Sequence, residues 1–372
     1  MYILIHSFAG RAFSSGWLHQ GIRAVCISLL LLVELVKCRV TLRSLFLTMA
    51  VVIFAVISRN SGIVSMVDTL IILYVGRLVD FELVAKWVLV ASSVTLIAIV
   101  IMSQVGVIPD YVSTGTRIRH YLGFRYALYP SVLLSNITCL VLALTERRLI
   151  FKAGVLAWLN YILYKLTDSR LSFYLSMFAI ILYLFLFVRS RRKGTVPVSN
   201  GFLRIMPLMY IVMAIISITI TLAYSPFNSS LVALDELLGG RLALGNSALR
   251  EYGINAFGTR VAMNGMALDF DGLRDTSQAY NYVDCLYVQL LVRIGWVGLS
   301  LYLVSMTAVG YSLYKAGNWK YLLAVALVAV HGLIDNLSFY LFWNTFTLLL
   351  SGIFKQSVDS AVSSLPDPGR RA

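Results

Sequence analysis

Two carboxylates, one histidine and a set of arginines are the residues of this 372-residue chain whose placement could do chemistry. Asp284 closes the one long polar stretch, residues 224–284, just before an apolar run. The middle of that stretch reads RLALGNSALREYGINAFGTRV, and it carries Arg241, Arg250, Arg260 and Arg274 against six acids before Asp284. Guanidinium holds its charge and grips phosphate oxygens two at a time. A carboxylate or an imidazole beside it can take a proton from a hydroxyl. Upstream, TRIRHYLGFRYALYP (116–130) puts Arg119, His120 and Arg125 close together. His120 could act as a base or an anion donor, or be a surface histidine without a role. In TDSRLSF (167–173), Arg170 either pairs with Asp168 or faces a central cavity as a phosphate ligand. His331 and Asp335 stand one helical turn apart, open to reading as a structural pair or as part of a site. Asp68, inside an apolar run, reads as a helix-packing hydrogen bond.

The elements that must position these groups are membrane helices. Hydrophobic residues make up 59% of the chain and charged ones 13%, with a mean hydropathy of +0.82. A soluble protein of this size would need more polar surface. Apolar runs long enough to cross about 30 Å of hydrocarbon recur throughout, and a barrel's period-2 alternation is missing. The expected fold class is an all-α polytopic membrane protein of about eleven transmembrane helices. The spans are read at 21–36, 44–58, 62–78, 84–106, 129–145, 150–166, 171–188, 203–223, 285–313, 319–335 and 337–354. The organisation is then an N-terminal segment (1–20), eight helices over 21–223, a large loop over 224–284, three helices over 285–355 and a tail over 356–372. Within the loop, residues 234–252 carry helix-compatible apolar spacing.

The net charge of +14 is distributed as a membrane protein distributes it, which argues against nucleic acid as a partner. Lys37, Lys86, Lys152, Lys193, Lys315, Lys320 and Lys355 fall at ends that alternation assigns to one side, and Lys165 alone departs. That side is the cytoplasm, which places the C-terminus there and the 224–284 loop outside. The outer face is left with arginines: Arg59, Arg117, Arg119, Arg125, Arg170, Arg241, Arg250, Arg260 and Arg274. Sorting explains the missing lysines, and phosphate binding would explain why arginines persist. The four cysteines lack paired or metal-type spacing, and no nucleotide loop or Ser-His-Asp order is present. The tract DFDGLRD (269–275) lacks a calcium loop's spacing and terminal Glu. Neither a metal nor a cofactor is expected.

At YGINAFG (252–258) followed by YVDCLYVQLLVRIGWVGL (282–299), the chain resembles Wzy-type polysaccharide repeat-unit polymerases, especially those of Gram-positive capsule and exopolysaccharide systems. RHYLGFRYALYP (119–130), NYILYKLTDSRLSF (160–173) and HGLIDNLSFYLFWNTFTLLL (331–350) fit the same likeness, which spans roughly residues 20 to 355. Members of the related O-antigen ligase and polymerase group often carry a His-Asn pair where the loop re-enters. Here that region has Tyr280, Asn281 and Asp284, and the Gram-positive pattern of Asp followed by Tyr is matched by Asp284 and Tyr287. Members typically begin with one more helix, so residues 1–20 are expected to be the remnant of a truncated first hairpin.

The resemblance implies a GT-C-like fold of the O-antigen ligase and polymerase type and a reaction on the outer membrane face. A growing glycan on undecaprenyl diphosphate is transferred to a hydroxyl of a new lipid-linked repeat unit, with the lipid diphosphate as leaving group. It further implies Asp284 as the base, with His120 and Asp335 behind it, and Arg119, Arg125, Arg170, Arg250 and Arg260 as diphosphate contacts. The partners would be the bilayer, the polyprenyl-diphosphate-linked oligosaccharide, and a flippase and chain-length regulator of the same pathway. A transporter, most naturally the flippase for that lipid-linked unit, is the rival reading, although no internal repeat supports it. A membrane sensor or assembly protein is a third, and it leaves the arginines unexplained.

Overall fold

The computed structural model describes residues 2–352 apart from 14–15, 38–47, 50–51, 53, 57–60, 115–116, 146, 194–200 and 278. It is mostly helical. In chain order come α1 (Tyr2–Ile5), a 3-10 turn (Phe8–Phe13), α2 (Gly16–Lys37), α3 (Val64–Gly76) and α4 (Phe81–Gln104). A two-residue antiparallel pair, β1 (Val112–Ser113) and β2 (Arg119–His120), precedes α5 (Tyr129–Leu144), α6 (Leu149–Thr167) and α7 (Arg170–Lys193). Then follow α8 (Gly201–Ile205), α9 (Met209–Ala223), α10 (Ser229–Leu237), α11 (Arg241–Tyr252), α12 (Leu286–Lys315) and α13 (Trp319–His331). More than half of the expected span 44–58 lies outside the described residues, and so do Arg59, Lys355 and the 356–372 tail.

Six helical stretches among the described residues are long and apolar enough to cross a membrane, the first of them the stretch within α2 and the others α4, α6, α7, α8 joined to α9, and α12. Their burial pattern is that of lipid-facing helices. In α4, Ala85, Ser92, Leu96, Ile99 and Ser103 are buried, while Val90, Val94, Ile97 and Ile101 form an exposed apolar stripe on another face. In water such a stripe would be an aggregation surface; against acyl chains it costs nothing. The small polar residues turn inward, as Ser131 to Thr167 (2.9 Å) and Asn160 to Thr138 (2.9 Å) illustrate.

Two ion pairs lock α2 to α3. Arg23 donates Nε and Nη2 to Asp68 at 2.9 and 2.7 Å, and Tyr2 donates its hydroxyl to the same carboxylate, so Asp68 is a packing residue. Further along both helices Arg77 pairs with Glu34. Partners rise together in number, so the two helices run parallel. The Arg77 side chain is 3% exposed and lies 3.8 Å over the Tyr74 ring. Arg77→Ala strands a carboxylate and should cost about 3 kcal/mol. The expected result is a lower thermal midpoint of the detergent-solubilised protein, part of which Glu34→Ala/Arg77→Ala restores. Equal losses in the single and double variants would count against the pair.

Two of the three C-terminal spans, 285–313 and 337–354, differ from the sequence expectation. The 285–313 run is broken at Gly295, which takes φ 75° and ψ 176° and divides α12 into a short buried half and a longer one. Freed backbone groups are taken up by the loop at 255–259: Thr259 N–H donates to Val292 O (2.9 Å), and Trp296 and Val297 N–H donate to Asn255 O (3.0 Å) and Ala256 O (3.1 Å). The run expected at 337–354 is no continuous helix. It forms 3-10 turns at Asn336–Phe339 and Thr345–Leu350, buried inside the bundle. Asp335 and Asn344 start these turns by accepting from Leu337 and Phe346 N–H, at 2.8 and 3.1 Å. Irregular backbone survives at such depth because protein side chains satisfy it.

The connections that alternation assigns to one face do meet at one end of the bundle. Arg117 and Arg170 both reach Asp168, and Arg125 reaches Leu268. Residues 2–13 dock at the same end: Phe8 N–H donates to Gly123 O (2.9 Å) and Arg11 pairs with Asp271 (2.7 Å). Ser7 and Phe8 are buried there, so this segment is a built part of that end.

Candidate active site

The site is assembled by the polar stretch folding down onto the start of α12. Asn228 caps α10 by accepting from Ser230 and Leu231 N–H. The chain turns through Gly239 and Gly240, both at positive φ (72° and 83°), a conformation glycine takes without a Cβ penalty. Asp235, itself buried, then caps the next helix from outside by accepting from Leu242 N–H (2.7 Å) and Ala243 N–H (3.2 Å). The face of α11 bearing Leu242, Gly245, Asn246 and Leu249 is buried, with Gly245 against Thr221 and Val288. That leaves Arg241, the first residue of α11, pointing into a crevice.

Arg241 is held by backbone and aimed at a carboxylate. Its Nη1 donates to Leu238 O (2.7 Å) and its Nε to Ile334 O (3.0 Å), and Nε lies 3.4 Å from Asp284 Oδ2. Tyr280 donates its hydroxyl to the same oxygen (3.1 Å). Asp335 lines the crevice opposite, and Asn336 ties the two strands of the site together by donating to Tyr282 Oη and Gln289 Oε1, each at 2.8 Å. The result is a cavity of about 70 Å³ lined by Arg241, Asp284, Asp335 and Tyr126, Tyr129, Tyr280 and Tyr282. Residues 265–267 close it on a further side.

Burial pushes the Asp284 carboxyl up to about 6; Arg241 opposes the rise and Asp335 adds to it. Burial pushes Asp335 up to about 6 as well, against Leu337 N–H and Arg241. Both carboxyls are thereby brought near neutral pH, where a general base works best. Burial and the neighbouring Asp284 push the Tyr280 hydroxyl up, keeping it a donor. Amphipathic tyrosine rings around a carboxylate pair suit a ligand that is hydroxylated at its edges and apolar on its faces.

The other residues singled out from sequence lie elsewhere. His120 Nδ1 sits 2.8 Å from Asp110 Oδ2, and Asp110 also accepts from Leu122 N–H, so the histidine stabilises the 110–122 turn rather than facing Asp284. Arg125 is a clamp: Nε donates to Leu268 O (2.6 Å), Nη1 to Ile5 O (3.4 Å), and the guanidinium lies 4.4 Å from the Phe270 ring centre. It thereby holds the strap 264–273. Arg170 is 55% exposed and pairs with Asp168 (3.3 Å), as the simpler of its two readings had it. Arg250 is exposed in the last turn of α11 and lines no part of the crevice. Arg119 has a buried Nε without a partner and acts with Arg274 on Tyr121; Arg274 also acts on Tyr280. Arg260 stands beside Gly62 and Arg293. His331 is buried against Ser172 (3.4 Å) and lines a separate cavity of about 40 Å³, so it and Asp335 do not form a pair.

Of the residues picked out from sequence, then, Asp284 and Asp335 share the crevice. Arg241, Tyr280, Tyr282 and Asn336 complete it. The signal for Arg241 was the Gly-Gly turn directly before it, with Arg241 itself six residues after a capping acid. No family model, curated protein or solved structure matches this chain.

Proposed function

We propose that this protein is a glycosyltransferase of the polysaccharide polymerase type, which joins polyprenyl-diphosphate-linked repeat units at the outer face of the membrane. The observation that carries the reading is the Asp284–Arg241–Asp335 crevice with its tyrosine walls. Asp284 would take the proton from the attacking sugar hydroxyl, and Tyr280 and Arg241 would keep the carboxylate oriented through its Oδ2. A donor already activated as a diphosphate ester needs positioning and charge neutralisation more than a cofactor. The strap 264–273 supplies residues 265–267 to one wall of the crevice, and the exposed Arg11–Asp271 pair ties it down.

The rival transporter reading draws on the broken helix at Gly295, a device transporters use to bind substrate or ions. In this chain the freed backbone groups are filled by residues 255–259 rather than left open to a cavity, which favours the enzyme. The deciding assay is purified protein in vesicles with a defined lipid-linked repeat unit. A ladder of longer lipid-linked glycans is expected; movement of the unit across the bilayer without elongation would favour the flippase.

The sidedness is open to a separate check. Ser277 is exposed in the polar stretch, its hydroxyl bonded to Asp275. Ser277→Cys is expected to react with a membrane-impermeant thiol reagent in whole cells. Labelling only after lysis would put the stretch, and with it the crevice, in the cytoplasm.

A further inference from the structure

Within the polar stretch, residues 252–259 (YGINAFGT) form a tract without charge, bracketed by Glu251 and Arg260. Two of its apolar side chains face outward: Ile254 is 48% exposed and Phe257 60%. Apolar groups presented in this way call for a cover. What stands next to them says which cover. Trp296 and Val297 N–H donate to Asn255 O (3.0 Å) and Ala256 O (3.1 Å), so the tract is bonded directly to the backbone of Trp296, itself 54% exposed. An isoleucine, a phenylalanine and a tryptophan are thus gathered on the outside of one junction.

The place of Trp296 along α12 identifies what the junction meets. Trp296 begins the longer half of α12, beyond the break at Gly295, and Lys315 ends it. That length of helix spans about 30 Å, the thickness of the hydrocarbon core. Ser300, Val304 and Ala308 follow Trp296 at four-residue steps, with Leu301 and Tyr311 beside them, and all are exposed. In a membrane-crossing helix such a row faces acyl chains. Tryptophan at one end and lysine at the other are the residue types that mark the two membrane–water boundaries. Ile254 and Phe257 lie at the Trp296 boundary, continuous with the lipid-facing row. The tract is built for that place. The Asn255 amide donates to Tyr252 O (3.0 Å) and Thr259 Oγ1 (2.9 Å), and α12 takes up the carbonyls of Asn255 and Ala256, so these polar groups are paired without water.

We propose that residues 253–258 and Trp296 form a membrane anchor, with Ile254, Phe257 and the indole ring seated in the headgroup–acyl boundary of the bilayer. The polar stretch then touches the membrane at the break in α12. α11, which carries Arg241 as its first residue, ends at Tyr252 beside the anchor, so this contact sets the depth at which the crevice stands. The anchor depends neither on the function proposed above nor on which side of the membrane the stretch occupies.

The test is a spin-label depth measurement on the full chain in vesicles of phosphatidylethanolamine and phosphatidylglycerol. Cys26→Ser and Cys38→Ser remove competing thiols, while Cys139 and Cys285 are buried. Nitroxides are placed on Phe257→Cys and, as a second reporter, on Ile254→Cys; both side chains are exposed, so neither change opens a cavity. Val304→Cys on the lipid-facing row and Ser277→Cys in the polar stretch set the two limits. Oxygen concentrates among acyl chains and a nickel chelate stays in water. The oxygen-to-nickel accessibility ratio at both reporters is expected about threefold or more above that of Ser277→Cys and below that of Val304→Cys, as a boundary depth requires. Ratios equal to that of Ser277→Cys would put the tract in water and overturn the anchor. Low accessibility to both relaxants would mean that protein covers the patch, and dipolar broadening between labels would identify the cover as a second copy of this chain; either would overturn the lipid contact.

Discussion

Asp284→Asn is expected to stop glycan elongation, with turnover lowered about 10²–10⁴-fold, the usual worth of a general base. The substitution keeps the shape of the side chain and its reach to the Tyr280 hydroxyl, 3.1 Å away, so a fall in rate with normal protein abundance isolates the proton transfer. Asp335→Asn should act differently. Its carboxylate accepts from Leu337 N–H and raises the Asp284 carboxyl, so removing that charge lets Asp284 ionise at lower pH. The pH profile separates the roles. With a base titrating at about 6, wild-type rate should climb as pH rises through that value. Asp335→Asn should move this limb to lower pH, and Arg241→Gln, which removes the opposing cation, should move it higher. The same shifts bear on stability. Both folded-state values lie above the ordinary 3.8, so the stability these carboxyls contribute is fully present below about 4 and is lost as pH rises through about 6. Rate and stability should therefore change in opposite directions across that window. A profile flat through pH 6, or near-normal elongation by Asp284→Asn, would remove Asp284 from the chemistry.

Sequence reading reached the all-helical, membrane-length character of the chain and both acids of the crevice for sound physical reasons. Apolar length reports lipid crossing directly, and a carboxylate at the mouth of an apolar run is costly enough to need a partner. Choosing among nine arginines was beyond it, because neither charge nor spacing tells where a long side chain ends. Arg125 looks like an anion ligand beside His120, yet carbonyl oxygens of Leu268 and Ile5 occupy its guanidinium. Arg241 looks like one more loop arginine, until the turn at Gly239–Gly240 and the cap from Asp235 swing it onto Asp284. The irregular C-terminal turns had a legible cue in Asn336 and Asn344, polar groups inside an apolar run: Asn336 donates to the Gln289 side chain, and Asn344 donates to and accepts from the backbone. The break in α12 had one too: thirty residues exceed what about 30 Å of hydrocarbon requires. Where the run would break depended on contacts from residues 255–259, which no local pattern encodes.

That break is also where one methyl group should do the most damage to the fold. Gly295 lies at φ 75° and ψ 176°, a region that is essentially closed to other residues. An alanine Cβ there would sit 2.3 Å from Ala256 O and 2.5 Å from Asn255 O, the two carbonyls that accept from Val297 and Trp296 N–H. Relieving the clash means either straightening α12, which strands those groups beneath the loop, or expelling the loop. Strain and lost hydrogen bonds together should cost about 3 kcal/mol or more. Gly258→Ala tests the contact from the other side, since its Cβ would meet Arg293 O at 2.2 Å. Gly154→Ala is the matched control: it lies in α6 with nothing within 4 Å of its Cβ, and should be neutral or slightly stabilising. Heating detergent-solubilised protein and following the monodisperse fraction should rank Gly295→Ala and Gly258→Ala far below wild type, with Gly154→Ala at or above it. A Gly295→Ala protein as heat-resistant as Gly154→Ala would mean that α12 runs straight and that residues 255–259 do not fill a break in it.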